Sequence, residues 1–172
     1  MSSLSPRCHE SFFSRDVLEV APALLSSYLV KNEKGIVHRF RITEVEAYRG
    51  EEDLACHACR GKTSRTEVMY LEGGHLYIYL IYGIYWMLNI VTGDENQPQA
   101  VLIRGIENVS GPGRVTRHLG IDKSYNREDL ITSERIWIEK SANTTPYNTY
   151  PRIGIDYAGE PWKSKLWRYT AL

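Results

Sequence analysis

The 172-residue sequence lacks an excess of either charge, and it contains little cysteine. Its 21 Lys and Arg residues are balanced by 21 Asp and Glu residues, so the formal net charge is zero. This balance argues against a histone-like protein and against a polybasic membrane binder, because both bind through bulk positive charge. With only three cysteines, the chain cannot form a disulfide framework.

Long apolar runs and a secretion signal are missing as well. The longest apolar run covers residues 76–91, and Gly83, Asn89 and several tyrosines interrupt it, so it is a poor membrane span. Residues 1–10 contain no apolar h-region and no cleavage site. We therefore expect a cytoplasmic protein that does not bind membranes.

Tyrosine is the residue that the sequence has in excess. There are 12 tyrosines against 3 Phe and 4 Trp, and five of them fall between Tyr70 and Tyr85. The hydrophobic content of 42% and the charged content of 24% are those of an ordinary globular protein. The length predicts one domain spanning residues 1–172, in which residues 1–12 are expected to fray.

Local patterns predict a mixed α+β domain with a sheet-rich centre. Ser14 is a candidate N-cap, Pro22 would open a second short helix, and Gly111 and Gly120 would bracket a third helix. Strand-like runs occur at residues 36–47, 76–81, 84–91, 100–106, 136–139, 152–156 and 166–170.

The predicted strand 36–47 carries two carboxylates near its end. If its alternation is unbroken, Glu44, Glu46 and Tyr48 share the face of Ile42. Burying a carboxylate is unfavourable unless it has a partner or a task, and one beside an aromatic wall suits a general base that activates water. The alternative is an exposed strand end with solvated acids.

The tyrosines of the apolar run suggest a surface that stacks on bases. Tyr77 and Tyr79 share a strand face, whereas Tyr82 lies beside Gly83, where the chain turns. An aromatic side chain on a turn is a candidate wedge between stacked bases, and aromatics in a pocket stack on an extruded base. The alternative is that tyrosine simply suits strands, which we favour for Tyr77 and Tyr85.

The motif from Cys56 to Cys59 has the spacing of a metal-ligand pair. Together with Cys8 and His9 it would supply the ligands of a zinc site. Strong zinc motifs contain two such pairs, and the second pair is missing here, so we predict no metal and no cofactor. His57 alone is a candidate hydrogen-bonding residue of a pocket.

The neutral total charge hides two basic segments. Residues 55–66 contain three basic residues and no acid, and residues 104–127 contain five basic residues against two acids. The second segment includes a glycine-led helix start, which favours anions. Solvated surface is the usual alternative for such segments. The predicted phosphate contacts are Arg60, Lys62, Arg65, Arg114 and Arg117.

Two polar residues lie within apolar strands. Arg104 ends the run 101–103 and shares a face with Leu102, so it requires a carboxylate or a phosphate as its partner, and a structural salt bridge is the alternative. Asn89 is surrounded by apolar residues, and its amide must be satisfied by the backbone or by a ligand. Through steric and hydrogen-bond fit, such an amide could tell one ligand from another.

Taken together, these residues resemble the alkyladenine (3-methyladenine) DNA glycosylase family. The likeness is dense from residue 43 to residue 122 and weaker at both ends, and several motifs occur in order at compatible spacing. The matching stretches are 44–48, 53–65, 74–83, Asn89, 101–104 and 111–122.

The resemblance implies a single α+β domain with a curved antiparallel β-sheet core flanked by short helices. It implies a monomer that acts on double-stranded DNA containing damaged purines, hydrolyses the N-glycosidic bond and leaves an abasic site. Such a protein would be associated with the nucleoid in a bacterium, or nuclear in a eukaryote. The alternative is a module that binds nucleic acid through the same basic face and tyrosines, without catalysis.

The resemblance also implies a role for each site residue. Glu46 would activate the attacking water, and Arg104 would position that water and the carboxylate. Tyr48, His57 and Tyr79 would form the walls around the flipped base. Tyr82 would fill the gap that the base leaves in the duplex, and Asn89 would obstruct the exocyclic amino group of guanine.

The sequence departs from the family pattern at two places near this set. Cys56 and Cys59 flank the pocket histidine where smaller or more polar residues are expected, which predicts sensitivity to oxidation. Gly105 stands where the family tends to have alanine, and we expect it to loosen the strand locally. Neither departure falls on the implied catalytic residues.

Overall fold

The computed structural model describes residues 6–172, and within them the chain forms three short α-helices and nine β-strands. The helices are α1 (Glu10–Phe13), α2 (Val17–Leu24) and α3 (Pro112–Leu119). The strands are β1 (Tyr28–Glu33), β2 (Ile36–Arg49), β3 (Leu76–Ile81), β4 (Tyr85–Thr92), β5 (Gln99–Ile106), β6 (Val109–Ser110), β7 (Ile136–Glu139), β8 (Tyr147–Tyr150) and β9 (Arg168–Ala171). Short 3₁₀ turns cover His57–Arg60, Glu67–Tyr70, Lys123–Tyr125, Asp156–Ala158 and Trp162–Ser164.

The strands form one antiparallel sheet. Its main path runs β3-β4-β5-β2-β1-β7, while β6 pairs with β5, β9 pairs with β2 and β8 pairs with β9. All of these pairings are antiparallel. The antiparallel sheet with its few short helices confirms the predicted α+β class.

The two faces of the sheet have different surroundings. One face packs on α2 and α3, and its buried side chains, which include Val45, Ile78, Leu88 and Ile103, belong to the main hydrophobic core. Because side chains alternate along a strand, the intervening positions face the other way. Several of them border a cleft: Tyr48, Tyr79, Asn89, Leu102 and Arg104.

In β2, a bulge changes which alternate side chains point toward the core. The register between β2 and β5 shifts twice, which leaves Thr43 and Arg104 out of the regular pairing. Ile42 and Val45 both enter the main core, so Glu46 lies on the face opposite to both of them. The prediction that Ile42 and Glu46 share one face is therefore wrong, because it assumed an unbroken alternation.

The helices start and end at positions set by local hydrogen bonds. α2 begins after Asp16, not after Ser14, because the Asp16 side chain accepts a hydrogen bond from the N–H of Leu18 (2.9 Å). The two helical pieces expected around Pro22 form one helix, since Pro22 lies inside α2 and its carbonyl still accepts a backbone N–H. The helix predicted before Gly120 is confirmed as α3, and Gly120 ends it in the left-handed conformation.

The predicted strand at residues 152–156 does not form, although this stretch lies wholly within the described residues. Gly154 has a φ of +75°, which interrupts an extended path. The N–H of Ile153 donates to the carboxylate of Glu46 (2.7 Å) rather than to a neighbouring strand. The strand in this region is β8, which lies just before the predicted position.

The beginning of the chain was expected to fray over residues 1–12. Residues 1–5 lie outside the described residues. From Arg7 onward the segment is held against the domain, since Arg7 forms a β-bridge with Glu139 and Phe12 and Phe13 are buried.

Candidate active site

A cleft of about 660 Å³ opens on the face of the sheet that points away from the main core. Strands β2 to β5, residues 55–57, the start of α3 and residues 153–157 supply its walls. A volume of this size is typical of a small-molecule site. The predicted site residues that line the cleft are Tyr48, His57, Tyr79, Tyr82, Asn89, Arg104 and Arg114.

Glu46 lies behind this cleft with a side chain that is 0% exposed. Its Oε2 accepts a hydrogen bond from the Tyr48 hydroxyl (2.8 Å), and its Oε1 accepts one from the N–H of Ile153 (2.7 Å). Burial raises the pKa of Glu46, and this rise is opposed by the charge of Arg104 and by the two hydrogen bonds. The carboxylate is therefore fixed in position and has a pKa shifted toward that of a general base.

Arg104 joins Glu46 to a second carboxylate. Its Nε lies 3.6 Å from Oε1 of Glu46 and 3.4 Å from Oε1 of Glu44. Arg168 on β9 also contacts Oε1 of Glu44, at 3.2 Å. The partner that the sequence required for Arg104 is thus a pair of carboxylates, Glu44 and Glu46.

Aromatic rings form the opposite part of the cleft. The ring of His57 lies 4.5 Å from that of Tyr79 in an edge-to-face arrangement, and the rings of Tyr77 and Tyr79 are 5.3 Å apart. The Tyr77 hydroxyl and Nδ1 of His57 form a hydrogen bond of 2.9 Å. Burial lowers the pKa of His57 to about 4, so the imidazole is neutral at physiological pH.

Asn89 is a buried amide in the lining of the cleft. Its Nδ2 donates to the carbonyl of Tyr77 across the β3–β4 pair (3.1 Å), which satisfies one donor and fixes the plane of the amide. The side chain thus combines a fixed orientation with a place in the wall of the cleft. This is the arrangement in which an amide discriminates between ligands by fit.

Tyr82 is at the tip of the β3–β4 hairpin and is 83% exposed. Tyr82 and Gly83 have φ values of +52° and +67°, and the N–H of Ile84 donates to the carbonyl of Ile81 (3.1 Å). Positive φ at both central residues is typical of the type I′ turn that joins twisted strands. The turn presents an aromatic ring to the solvent at the rim of the cleft.

The predicted phosphate-contacting residues differ in their surroundings. Arg114 lines the cleft, and the guanidinium groups of Arg65 and Arg117 lie 5.3 and 5.9 Å from the ring centres of two cleft tyrosines. Arg60 and Lys62 are exposed. The basic side chains therefore occupy the rim of the cleft or the surface, and none of the five forms an ion pair with a carboxylate within residues 6–172.

The cysteines lie in separate environments. Cys8 belongs to the main core, whereas Cys56 packs in a smaller cluster beside the cleft. Burial raises the pKa of Cys56 to about 12, which makes its thiol a poor nucleophile and a poor target of oxidation. Within residues 6–172, no group of three or more His, Cys, Asp or Glu side chains is positioned to hold a metal ion.

Gly105 lies at a point of close approach in the bulge. A Cβ at this position would be 2.9 Å from Oγ1 of Thr43 and 3.1 Å from Cβ of Glu44. The glycine thus lets β5 approach β2 where the register shifts, next to Arg104. This finding replaces the expectation that Gly105 loosens the strand.

Sequence patterns missed three residues that the structure brings to the site. Tyr77 was assigned to strand packing, yet it holds His57. Arg152 and Ile153 lie in a stretch whose apolar residues resemble a strand, and only the +75° φ at Gly154 reveals its irregular path. No spacing rule connects them to Glu46, which is 107 positions away from Ile153.

The sequence was also compared with known protein families and proteins. A family model described as methylpurine-DNA glycosylase (MPG) matches residues 11–111 and 107–172. A protein of Natranaerobius thermophilus is 39% identical over 182 residues, covering 92% of this chain and 91% of its own. A protein of Borrelia garinii subsp. bavariensis is 44% identical over 174 residues, covering 92% of each chain. Both carry the name "Putative 3-methyladenine DNA glycosylase". None of the helices within residues 6–172 has the length and apolar character to cross a membrane.

Proposed function

The chain belongs to the methylpurine-DNA glycosylase family, and from this membership we propose that it excises alkylated purines of the 3-methyladenine type from double-stranded DNA. The observation that carries the proposal is the fully buried carboxylate of Glu46 behind an aromatic cleft. Tyr48, Arg104 and Ile153 each contact that carboxylate and also line the cleft. A base bound in the cleft thus meets the groups that hold Glu46.

Access to the N-glycosidic bond requires that the nucleotide leave the base stack, which costs a few kcal/mol. Tyr82 supports this step, because an exposed ring on a rigid turn can fill the gap that the nucleotide leaves. The rings of Tyr48, His57 and Tyr79 supply stacking surfaces for the extruded base, each worth about 1–3 kcal/mol. The ring of Tyr82 and the stacking surfaces together offset the free energy that extrusion of the nucleotide requires.

Hydrolysis then follows from the position of Glu46. The carboxylate takes a proton from water as the water oxygen bonds to C1′ of the sugar, and the electrons of the N-glycosidic bond leave with the purine. Arg104 orients the carboxylate. No lysine lines the cleft in the part of the chain that the structure describes, which supports attack by water rather than by an amine. The products are the free base and an abasic site.

The cleft favours damaged purines over ordinary ones. N-alkylated purines can carry a positive charge, and tyrosine faces attract cations at about 0.5–2 kcal/mol each. His57 with its pKa of about 4 stays neutral and does not repel such a base. Asn89 obstructs the exocyclic amino group of guanine. Alkylated purines are therefore preferred for their positive charge, for their shape and for their weak N-glycosidic bond.

Contacts with the duplex use the basic side chains at the rim of the cleft and on the surface. The candidates nearest to the cleft for phosphate contacts are Arg114 at the start of α3, Arg65 beside Tyr79 and Arg117 beside Tyr85, whereas Arg60 and Lys62 lie on the exposed surface. Because only these five side chains are proposed to contact phosphates, the affinity should fall less steeply with salt than that of proteins that contact about six to ten phosphates. We expect the protein to act as a monomer in the compartment that holds the DNA.

A base-release assay tests the proposal. Wild-type protein incubated with methylated duplex DNA should release 3-methyladenine, and Glu46→Gln should abolish release while retaining binding. If Glu46→Gln released base as fast as wild type, the catalytic assignment would be wrong. Binding without release by wild type would favour the non-catalytic module. Covalent trapping on DNA by borohydride would contradict attack by water.

A further inference from the structure

Arg152 and Asp53 form an ion pair whose side chains are both fully buried. The pair is bidentate, with Nη1 of Arg152 donating to Oδ2 of Asp53 (2.6 Å) and Nη2 donating to Oδ1 (2.9 Å). Nη1 also donates to the carbonyl of Ala47 on β2 (3.0 Å). The pair therefore links residues 152–153 to the strand that carries Glu46.

Asp53 extends this connection to the loop that leads to His57. Its carboxylate accepts hydrogen bonds from the N–H groups of Arg49 (3.0 Å) and Ala55 (3.1 Å). Its backbone carbonyl accepts the N–H of Cys56 (2.8 Å). The loop from the end of β2 to the cleft histidine is thus organised around one carboxylate.

The guanidinium of Arg152 also packs between two aromatic rings. Its central carbon lies 4.8 Å from the ring centre of Tyr48 and 5.0 Å from that of Trp167. Tyr48 is the hydroxyl donor to Glu46, and Ile153, the next residue in the chain, is the N–H donor to it. Arg152 therefore packs against Tyr48 and is joined to Ile153 by a peptide bond. These two residues donate the hydrogen bonds that fix the Glu46 carboxylate.

We propose that the Arg152–Asp53 pair is a positioning unit for Glu46, which sets the rate of base release without touching the DNA. The inference rests on the proposed glycosylase function. It goes beyond fold stability, because a buried ion pair is often no more stabilising than apolar residues of similar volume, and Nε of Arg152 has no hydrogen-bond partner among the described residues. A small displacement of a reacting group can slow a reaction by about a hundredfold.

The charge of Arg152 supplies a readout that a purely structural role would not change. The charged or titratable groups that act on Glu46 or are acted on by it are Tyr48 from β2, Tyr79 from β3, Arg104 from β5 and Arg152 from the segment after β8. Arg152 favours the ionised carboxylate and so lowers the pKa of Glu46. Loss of the Arg152 charge should therefore move the ascending limb of the pH–rate profile to higher pH.

The test measures single-turnover release of 3-methyladenine from methylated duplex DNA across pH, with protein in excess. The double variant Arg152→Gln/Asp53→Asn replaces the pair by two amides and leaves no unpaired buried charge. Arg152→Lys keeps the charge but loses the bidentate geometry. The matched control is Arg135→Gln/Glu128→Gln, which removes a short ion pair (2.6 Å) that does not line the cleft.

We expect the double variant to release base about tenfold or more slowly than wild type. Its affinity for a duplex containing a tetrahydrofuran abasic analogue should stay within about twofold of wild type, since the pair touches no DNA. The ascending limb of its pH–rate profile should move to higher pH, because the lost charge of Arg152 acts on Glu46 more strongly than the lost charge of Asp53. Arg152→Lys should release base more slowly than wild type, with the ascending limb of its pH–rate profile unchanged. The control variant should match wild type in both the rate and the position of this limb.

The inference is overturned if the folded double variant keeps the ascending limb of its pH–rate profile at the wild-type pH. It is also overturned if its rate of base release falls only in proportion to its folded fraction. If the double variant does not fold, the Arg152→Lys variant provides the test. A wild-type rate of base release in this variant overturns the inference, whereas a slower rate with an unchanged ascending limb supports it. If wild-type protein releases no base, the proposed function fails and this inference fails with it. If wild type is active and the Arg152 variants equal it, the inference alone fails.

Discussion

Replacing Tyr82 by asparagine should make the protein more stable and less active. Tyr82 has a φ of +52°, a left-handed conformation that costs an L-residue with a Cβ about 1–2 kcal/mol. Asparagine tolerates this conformation far better and is favoured in type I′ turns. The strained residue lies at the place where the proposed wedge is needed, which is typical of functional sites.

The magnitude follows from the exposure of the side chain. Tyr82 is 83% exposed, so its removal forfeits only about a sixth of the roughly 1.5–3 kcal/mol gained by burying a large side chain, or about 0.3–0.5 kcal/mol. Relief of the left-handed conformation exceeds this loss, leaving a net gain of about 0.5–1.5 kcal/mol. For a chain of this length, that gain raises the melting temperature by about 1–6 °C.

Two assays on the same preparations test this prediction. Thermal denaturation should show the higher melting temperature, and single-turnover base release from duplex DNA should be about 5- to 150-fold slower, the equivalent of one lost stacking contact. Tyr82→Phe keeps both the ring and the positive φ, so it should match wild type in both assays. A lowered melting temperature for Tyr82→Asn would refute the strain, and an unchanged rate would refute the wedge.

Three further outcomes are expected. Because burial raises the pKa of Glu46 and the base must be ionised to act, base release should increase with pH through a pKa above the ordinary carboxyl value of 4.5; a limb at or below that value contradicts the assignment. Gly73→Ala would drive a methyl group into the carbonyl of Phe13, so thermal denaturation should show a loss of about 1–3 kcal/mol, and an unchanged midpoint would contradict the packing. Asp16→Ala removes both the acceptor of the Leu18 N–H at the start of α2 and the ion-pair partner of Arg49 (2.8 Å), and it should cost about 1–2 kcal/mol in the same measurement; Asp16→Asn keeps the cap and loses only the ion pair, so its cost should be smaller.

Features that depend on neighbouring residues could be predicted from the sequence. The turn at Gly83, and the helix between Gly111 and Gly120, follow from the positive φ values that glycine adopts easily. The shared face of Leu102 and Arg104 follows from alternation within one strand. Each of these features is determined within about ten residues, so no knowledge of the tertiary fold is required.

Features that arise from pairing between distant segments could not be predicted. The bulge that turns Glu46 away from the core depends on the fit of Thr43 against β5, and period-two alternation contains no sign of it. The segment 152–156 has the composition of a strand, but its N–H at Ile153 is taken by a carboxylate. The candidate residues could therefore be proposed from their type and spacing, whereas the reason for their burial required the folded chain.

The contact between Ile153 and Glu46 has a consequence for how the active protein is made. It joins residues 107 positions apart, and the Arg168–Glu44 contact spans 124. Contacts of such separation form only when most of the chain is available. A nascent or shortened chain that stops before Arg152 would display Glu46 without its Ile153 partner and Glu44 without its Arg168 partner. If Glu46 is the base of the proposed reaction, we expect unfinished synthesis products to release bases from DNA more slowly than the whole chain.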